Sequence, residues 1–245
     1  MINILILLAG KSRFFDEEKL MYPIPMMEIG SKMLIEKVIE NLSVLDKEIK
    51  FIFVVRRSDC DTHHLDDVLK KLTNDTCQII KIHKETAGSV CSALMAIEYI
   101  DTKSPLLIAN YDQIFDCNLC LAVDKLRNSD GVIITFESTH PRWSYVMLGE
   151  EKNIIEVSEK RPISSQAIAG FYLFKHGSDY VTSAMDSIKK ESKYDNKYYT
   201  SSVLNEMILA GKKLDVLQID HNHYHTFYTP EKLSDYDKYI RRYSV

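Results

Sequence analysis

The first half of the chain alternates short apolar runs with amphipathic segments. Mostly apolar runs, which predict strands buried on both faces, occupy residues 3–9 (NILILLA), 51–55 (FIFVV), 77–82 (CQIIKI) and 105–109 (PLLIA). The segments between them carry apolar residues at the spacing of a helix face, at residues 31–45, 64–72 and 89–100. Ser31 stands where it would cap the first of these helices. This alternation predicts a parallel sheet with helices on both sides.

From about Gly131 the pattern changes to closely spaced strands. Strand patterns occupy residues 131–136, 143–148, 153–159, 167–174 and 214–219, and helix patterns occupy 179–190, 199–211 and the end of the chain from Pro230. No linker rich in Pro, Gly or Ser and no internal repeat divides the sequence. We therefore predict one Rossmann-like α/β domain over residues 1–245, with a mixed, mostly parallel central sheet and helices on both faces. Residues 1–130 and 131–245 would be its two parts.

The composition is that of an ordinary soluble protein. Apolar residues make up 45% of the chain, charged residues 27%, and the formal net charge is -4, so nucleic acid is a poor default partner. The apolar start has no cationic segment before it, and no run approaches the roughly 18 residues of a membrane span. The number of cysteines is odd, and their only close pair is Cys117 and Cys120 in a predicted helix, which favours packing over zinc. A reducing cytoplasm fits this usage best.

Ligands of open parallel sheets bind beyond the carboxyl ends of the strands, so the loops after the strands are the first places to search for a site. In the loop LAGKSR, Gly10 lets a ligand approach the backbone, while Lys11 and Arg13 attract phosphate oxygens. A tight turn followed by solvated cations explains this loop equally well.

Two further loops carry small or acidic residues. In ETAGSV, the slight bulk of Ala87 and Gly88 would let a base or ribose lie against the backbone, although capping of a helix by Ser89 is a sufficient explanation. In LLIANYDQIFD, a buried strand delivers Asn110 and Asp112 to the sheet edge, followed by Asp116. Asp112 is the best candidate ligand for Mg²⁺, which prefers hard oxygen donors, but aspartate is also common in turns. Together the three loops suggest phosphate, base and metal on one edge, a combination that fits nucleotide chemistry.

The order of several segments is similar to that of a known superfamily. These segments are LLAGKSRF, YPIPMMEIGSKMLIEKVIENL, ETAGSVCSAL, PLLIANYDQI, FESTHPRWSYVML, EVSEKRPIS and, near the end, NEMI with TPEKL. Along nearly the whole chain they resemble the sugar-nucleotidyltransferase superfamily, and most closely its capsule-locus branch, which is often labelled glycosyltransferase-like. The resemblance implies the nucleotide-binding fold of A-type glycosyltransferases. It also implies transfer of a nucleotidyl group from a nucleoside triphosphate to a sugar 1-phosphate or similar small phosphorylated acceptor, with release of pyrophosphate.

The resemblance also implies roles for individual residues. The nucleotide-binding set would be Leu8, Ala9, Gly10, Ala87, Gly88 and Asn110. Arg13 would hold the triphosphate and Asp112 the Mg²⁺ ion. Glu159 and Lys160 would face the second substrate, and Gly170 would lie under its sugar ring.

The chain departs from the family pattern in its phosphate-binding residues. The family's first loop normally reads L-A-G-x-G-S-R-F, whereas here one residue and one glycine are missing after Gly10. Ile24 stands where the family carries a lysine between two prolines, and loss of one such donor typically costs about a hundredfold to a thousandfold in rate. Lys11, Lys19 and Lys32 are available as substitutes. Of these, Lys11 is preferred for its place in the phosphate loop, and Lys32 matches a second lysine of the family.

The C-terminal segment gives weaker signals. Thr226 and Tyr228 stand where some family members carry a second metal-binding aspartate, so a second carboxylate ligand is not predicted from this segment. The alternating histidines of HNHYH, residues 221–225, would share one face of a strand, as in a metal cluster, but an exposed strand end is the favoured interpretation. Trp143 is expected to be a core residue rather than a sugar-stacking one.

Three functions stay open from the sequence. The leading hypothesis is a magnesium-dependent nucleotidyltransferase for surface polysaccharide. The second is a degenerate member that binds nucleotide or sugar phosphate without turnover, and the third is a glycosyltransferase that uses a nucleotide sugar with Asn110 to Asp112 in place of a D-x-D motif. The base and the acceptor are not fixed by the sequence. The sequence does not fix the oligomeric state either, and a homo-oligomer is one option.

Overall fold

The computed structural model describes residues 1–12, 14–46 and 48–243. The strands are β1 (Ile2–Leu7), β2 (Glu28–Ile29), β3 (Lys32–Met33), β4 (Ile49–Arg56), β5 (Gln78–Ile82), β6 (Leu106–Ala109), β7 (Gln113–Phe115), β8 (Gly131–Glu137), β9 (Tyr145–Leu148), β10 (Ile154–Ser158), β11 (Gln166–Phe174), β12 (Leu214–Ile219) and β13 (Tyr224–Thr226). The α-helices are α1 (Leu34–Leu42), α2 (Arg57–His63), α3 (Leu65–Leu72), α4 (Ser89–Leu94), α5 (Ile97–Ile100), α6 (Cys120–Lys125), α7 (Gly177–Lys189), α8 (Thr200–Leu209) and α9 (Pro230–Tyr243).

One large mixed sheet organises the molecule. Its main path runs β10-β9-β11-β6-β1-β4-β5, with β8 paired to β11 and β12 paired to β8. The pairs among β5, β4, β1 and β6 are parallel, as is the pair of β8 with β12. β11 is antiparallel to β6, β8 and β9. The predicted α/β fold with a mostly parallel central sheet is confirmed.

The core lies on both faces of this sheet. In β1, Ile4 and Ile6 belong to one buried apolar cluster, while Leu5 belongs to the other. Because successive strand residues point to opposite faces, a strand between two covered faces must be apolar throughout. That requirement is the physical reason why NILILLA reads as a continuous apolar run.

The local start of some elements differs from the prediction. Ser31 does not cap α1, because Lys32–Met33 forms a short strand with Glu28–Ile29 and the helix begins at Leu34. The predicted helix over residues 89–100 is divided into α4 and α5, since Ala96 leaves the helical conformation, with φ -100° and ψ 16°. Helix α2, directly after β4, was not predicted.

A small second sheet connects the C-terminal segment to the centre of the molecule. β13 pairs antiparallel with β7, so Thr226 lies beside Gln113. One residue further on, the Phe227 amide donates a hydrogen bond of 2.8 Å to the Asp112 carbonyl. This sheet therefore fixes the backbone that carries Asp112. No helix in the described part of the chain has the length and hydrophobicity needed to cross a membrane.

Candidate active site

A cleft of about 520 Å³ opens beyond the carboxyl ends of β1 and β6. It is lined by residues from both parts of the chain, including seven of the predicted site residues: Gly10, Lys11, Asn110, Asp112, Glu159, Lys160 and Gly170. Residues as far apart as Gly10 and Gly170 meet here because β11 returns antiparallel beside β6, which is itself parallel to β1. The cleft thus lies at the sheet edge where the loop argument located it.

The loop after β1 presents an open backbone. Leu8 and Ala9 are buried beneath it, so their side chains belong to the core rather than to the cleft. Gly10 is exposed, and no atom lies within 4 Å of the position that a side chain would occupy. Ser12 closes the turn, because its hydroxyl accepts hydrogen bonds from the amides of residues 14 and 15, both at 3.2 Å. Arg13, the predicted triphosphate ligand, lies outside the described residues.

Ala87 and Gly88 pack against protein backbone and do not line the cleft. The Tyr198 amide donates to the Ala87 carbonyl at 2.8 Å. A side chain on Gly88 would begin 2.3 Å from the Tyr198 carbonyl oxygen, and its φ of +118° is one that glycine tolerates. Next to them, Ser89 does line the cleft, and its hydroxyl accepts the Thr200 amide hydrogen at 3.0 Å. Ser89 therefore satisfies the first amide of α8 rather than capping its own helix.

Asp112 occupies a half-buried position in the wall of the cleft. Burial raises the pKa of its carboxyl group, while a backbone hydrogen bond and the charge of Arg142 act in the opposite direction. Beside it, Gly170 has a φ of +68°, and a side chain there would begin 2.4 Å from the Asn110 amide nitrogen. Gln113 donates to the Gly170 carbonyl at 2.8 Å. The polar side chains of this wall thus pack directly on the glycine of β11.

Glu159 and Lys160 form the opposite wall. One carboxylate oxygen of Glu159 accepts hydrogen bonds from the hydroxyls of Ser144 and Ser201, the latter at 2.6 Å. The Lys160 ammonium donates to the Tyr199 hydroxyl at 2.8 Å and lies 3.8 Å from the second Glu159 oxygen. These contacts hold the Glu159 carboxylate beside the Lys160 ammonium, so this wall presents paired charges of both signs.

The sequence argument missed Arg142, which also lines this cleft. Its guanidinium carbon (Cζ) lies 3.2 Å from the centre of the Tyr228 ring and 4.5 Å from that of Trp143. Trp143 is half-buried and packs edge-on against Phe136, with ring centres 5.3 Å apart, so it belongs partly to the core and partly to the cleft wall. The only available signal in the sequence was the proximity of an arginine and a tryptophan in HPRWSYV.

Two of the cations considered as substitutes lie outside the cleft. Lys32 is on β3, where its ammonium bonds Glu40, and Lys19 pairs with Asp16 at 2.7 Å. Ile24 is 2% exposed and packs in the core, where it also borders a second cavity of about 410 Å³ that shares Lys11 and Ser12 with the cleft. Of the predicted substitutes, Lys11 alone lines the cleft.

The histidines of HNHYH do not form a cluster. Residues 221–223 make a short 3₁₀ turn, and His225 bonds Asp116 at 2.8 Å. Among the described residues, no group of three histidine, cysteine, aspartate or glutamate side chains could hold a metal ion. Cys117 and Cys120 carry free thiols, and Cys120 begins α6.

Comparison with known proteins identifies the family. No protein with a curated description matches the chain. The crystal structure of a nucleoside-diphosphate-sugar pyrophosphorylase from Vibrio cholerae RC9 is similar over 97% of this chain and 100% of that one, with a TM-score of 0.84 and 21% identity. A putative glucose-1-phosphate thymidylyltransferase from Bacillus anthracis, solved with sucrose, is similar over 98% of this chain and 96% of that one, with a TM-score of 0.74 and 17% identity. At such identities these structures show the fold alone. The family model described as nucleotidyl transferase matches residues 6–221, so the chain belongs to that family.

Proposed function

We propose that the protein is a magnesium-dependent nucleotidyltransferase. A phosphate oxygen of a sugar 1-phosphate, or of a similar small acceptor, forms a bond to the α-phosphorus of a nucleoside triphosphate. The bond from that phosphorus to the oxygen that bridges the α- and β-phosphates breaks. Pyrophosphate leaves with the electron pair, so no oxidant or further reactant is needed.

The observation that carries this proposal is the meeting of two kinds of wall in one cleft. On one side are the open loop at Gly10, the ammonium of Lys11 and the carboxylate of Asp112, a set suited to a polyphosphate and its metal. On the other are Glu159 and Lys160, which suit the hydroxyls and phosphate of an acceptor. Such a cleft accelerates transfer mainly by holding two anions in line and neutralising their charge.

The donor set at Asp112 fits Mg²⁺ only together with substrate. Asp112 supplies one carboxylate, and Asn110 brings an amide side chain to the same cleft. Mg²⁺ is commonly bound by one or two carboxylates, with phosphate oxygens and water completing its shell. When bound, the ion would supply positive charge to the phosphates. Burial raises the pKa of the half-buried Asp112 carboxyl group, and a cation bound there would stabilise its charged form.

The biological setting is part of the proposal. The capsule-locus resemblance supports a role in supplying an activated sugar or similar group for surface polysaccharide. We infer that this supply takes place in the cytoplasm, in keeping with the free thiols of the five cysteines. A homo-oligomer is compatible with this role.

Pyrophosphate release tests the function. The protein is incubated with each common nucleoside triphosphate, a panel of sugar 1-phosphates and MgCl₂, and pyrophosphate is measured by a coupled assay. We expect release with one triphosphate and one acceptor class, and its loss in Asp112→Asn. Asp116→Asn is the matched control, since Asp116 bonds His225 and does not line the cleft. Folded protein that releases no pyrophosphate with any pair contradicts the proposal, and sugar transfer without pyrophosphate indicates a glycosyltransferase.

One observation favours a second candidate, a protein that binds nucleotide or sugar phosphate without turnover. Ile24 is buried and brings no charge to the cleft, so the loop segment that resembles the family's phosphate-binding region lacks its lysine. This candidate predicts that triphosphates raise the melting temperature while pyrophosphate release stays at background for every pair.

A further inference from the structure

We propose that Arg142 binds the phosphate groups at the reacting centre, an assignment that rests on the nucleotidyltransferase function proposed above. Arg142 lies in the loop between β8 and β9, in the second part of the chain. It lines the same cleft as Lys11 and Asp112, which come from the first part. A cation in this position approaches the phosphates from the acceptor side of the cleft.

Three aromatic rings hold the guanidinium group in place. Its Cζ atom lies 3.2 Å from the ring centre of Tyr228, 4.5 Å from Trp143 and 5.2 Å from Phe14. These rings come from three distant parts of the sequence, and Tyr228 contacts the other two, with its ring centre 5.4 Å from that of Phe14 and 6.3 Å from that of Trp143. Contacts of this kind hold a guanidinium group without using its N–H donors.

One hydrogen-bond donor of Arg142 is buried and unused. Within the described part of the chain its Nε atom is buried and has no hydrogen-bond partner. Arg56, near the same sheet edge, differs, because it bonds both Glu17 and Asp59. Lys160 also differs, because it already donates to Tyr199. No carboxylate in residues 1–12, 14–46 and 48–243 pairs with Arg142, and an arginine held by rings in this way is suited to bind an anion bidentately.

The anion is identified by its neighbour Asp112. Arg142 and Asp112 line the same cleft and carry opposite charges, so one ligand with both positive and negative groups can contact the two side chains. A phosphate with its magnesium ion would suit both, since Asp112 would hold the ion and Arg142 would bind the phosphate oxygens. During transfer, negative charge on these oxygens changes as one P–O bond forms and another breaks. A donor fixed before the reaction lowers the barrier at that step.

Kinetics of three variants test the assignment. We expect Arg142→Gln to lower kcat by about 10²- to 10³-fold, the usual cost of losing one charge-stabilising donor. Arg142→Lys should recover only part of that loss, since an ammonium lacks the planar fork of donors. Arg127→Gln, which removes an exposed arginine paired with Asp124, is the matched control and should behave as wild type. A kcat of Arg142→Gln within about threefold of wild type, well short of that expected loss, overturns the proposal.

Chemical rescue separates a phosphate-binding role from a structural one. Millimolar guanidinium chloride should restore part of the activity of Arg142→Ala, while NaCl at equal ionic strength should not. Circular dichroism of each variant checks that the fold is kept. If neither salt or both salts restore activity to a folded Arg142→Ala, the side chain does not supply the proposed donors.

A binding measurement keeps this inference separate from the proposed reaction. Inorganic triphosphate with MgCl₂ is the probe, and the melting temperature is the readout. Stabilisation of wild type and Arg127→Gln, with little stabilisation of Arg142→Gln, supports the assignment even if no pyrophosphate is ever released. Equal stabilisation of all three proteins overturns the assignment of Arg142 and leaves the proposed reaction standing. A wild type whose melting temperature does not rise also overturns the assignment.

Discussion

Two glycines of this protein adopt the same left-handed conformation in different surroundings. Gly170 has a φ of +68° and Gly211 a φ of +75°. A side chain on Gly211 would meet nothing within 4 Å, whereas on Gly170 it would begin 2.4 Å from Asn110 and 2.8 Å from Gln113. Comparing substitutions at the two glycines therefore distinguishes the cost of backbone strain from the cost of steric conflict within the cleft.

We predict that Gly170→Ala destabilises the protein more than Gly211→Ala. The left-handed conformation costs each alanine about 1–2 kcal/mol. Gly170→Ala adds an overpacking cost of about 1–3 kcal/mol, because Gln113 is 2% exposed and hydrogen-bonded to Gly170 and Tyr224 and cannot move freely. Urea unfolding measures the difference. Triphosphate binding should weaken only in Gly170→Ala, where Asn110 must shift, and equal stabilities of the two variants would contradict the packing argument.

The positions of residues in the fold were predictable from the sequence only where one short segment contains the whole signal. Asp112 follows a buried strand, so its place at the sheet edge could be inferred locally. Arg142 could not, because its position depends on rings at residues 14 and 228, which no local pattern relates to it. The burial of Ile24 also depends on tertiary packing, whereas sequence alone identified it only as a missing cation.

At the scale of elements, the junction between α4 and α8 supports the acceptor wall. Ser89, at the start of α4, accepts the amide and the hydroxyl hydrogens of Thr200, both at 3.0 Å. The next residue, Ser201, donates to Glu159 at 2.6 Å. A hydroxyl on one helix thus fixes the first turn of another, and through it the orientation of a carboxylate in the cleft.

We predict that Ser89→Ala destabilises the protein by about 1 kcal/mol, the usual cost of losing a helix cap. The KM for the acceptor should rise more than the KM for the triphosphate, because the loosened first turn of α8 holds Glu159 less firmly. Steady-state kinetics and urea unfolding measure both effects. Ser31→Ala is the control, since Ser31 is exposed and caps no helix, and it should match wild type. A loss of stability in Ser31→Ala as large as that in Ser89→Ala would refute the role of the cap.

A second pair of elements, α3 and β5, is joined by an ion pair. Asp66 of α3 is 9% exposed, and the Lys81 ammonium of β5 donates to it at 2.5 Å. Burial by itself would raise the pKa of Asp66, but the bond and charge of Lys81 outweigh it, so the pKa is lowered. A carboxyl group whose pKa is lower in the folded state stabilises the protein above its unfolded pKa of about 3.9 and loses that contribution as the pH falls.

We predict that Lys81→Met destabilises the protein at neutral pH by about 1–2 kcal/mol, because it leaves the buried Asp66 carboxylate unpaired. The cost is near the low end for such a group, since Lys81 itself is partly exposed. The variant should lose less stability than wild type between about pH 5 and pH 3, because the pKa of Asp66 is then no longer lowered. Urea unfolding across that range gives both numbers. Lys70→Met, which breaks an exposed pair with Asp67, should change stability by less than about 0.5 kcal/mol. Parallel acid profiles for Lys81→Met and wild type would contradict the assignment.

The prediction of elements succeeded where packing and local pattern agree. Strands buried on both faces must be apolar throughout, so β1, β4 and β6 were visible in the sequence. The two-residue strands β2 and β3 and the three-residue strands β7 and β13 were not, because strands this short show no alternation of their own and depend on the strand with which they pair. The N-terminus of α1 was misplaced for the same reason, since pairing of β3 with β2 overrides the capping preference of Ser31.

At the scale of the whole molecule, one sheet crosses the boundary between the two parts of the sequence. β11 belongs to the second part, yet it pairs with β6 of the first over four residues, from Phe171 to Phe174. These residues are at most 8% exposed, so the pair lies inside the core. The cleft therefore lies within a continuous sheet, and its two walls are held by the same hydrogen-bonded strands.

We predict that this continuity makes unfolding a single cooperative transition. Trp143 is the only tryptophan and reports on the second part, where it packs against Phe136, whereas far-UV circular dichroism reports on the whole chain. The two urea curves should coincide, with the same midpoint and slope. A fragment of residues 1–130 should fail to fold alone, because without β11 it would expose the edge and faces of β6. Adding a fragment of residues 131–245 should restore its structure. Different urea midpoints for the two probes would contradict this prediction, as would a fragment that unfolds cooperatively by itself. Either result would show that the cleft lies between two domains that fold separately and are free to close on a ligand.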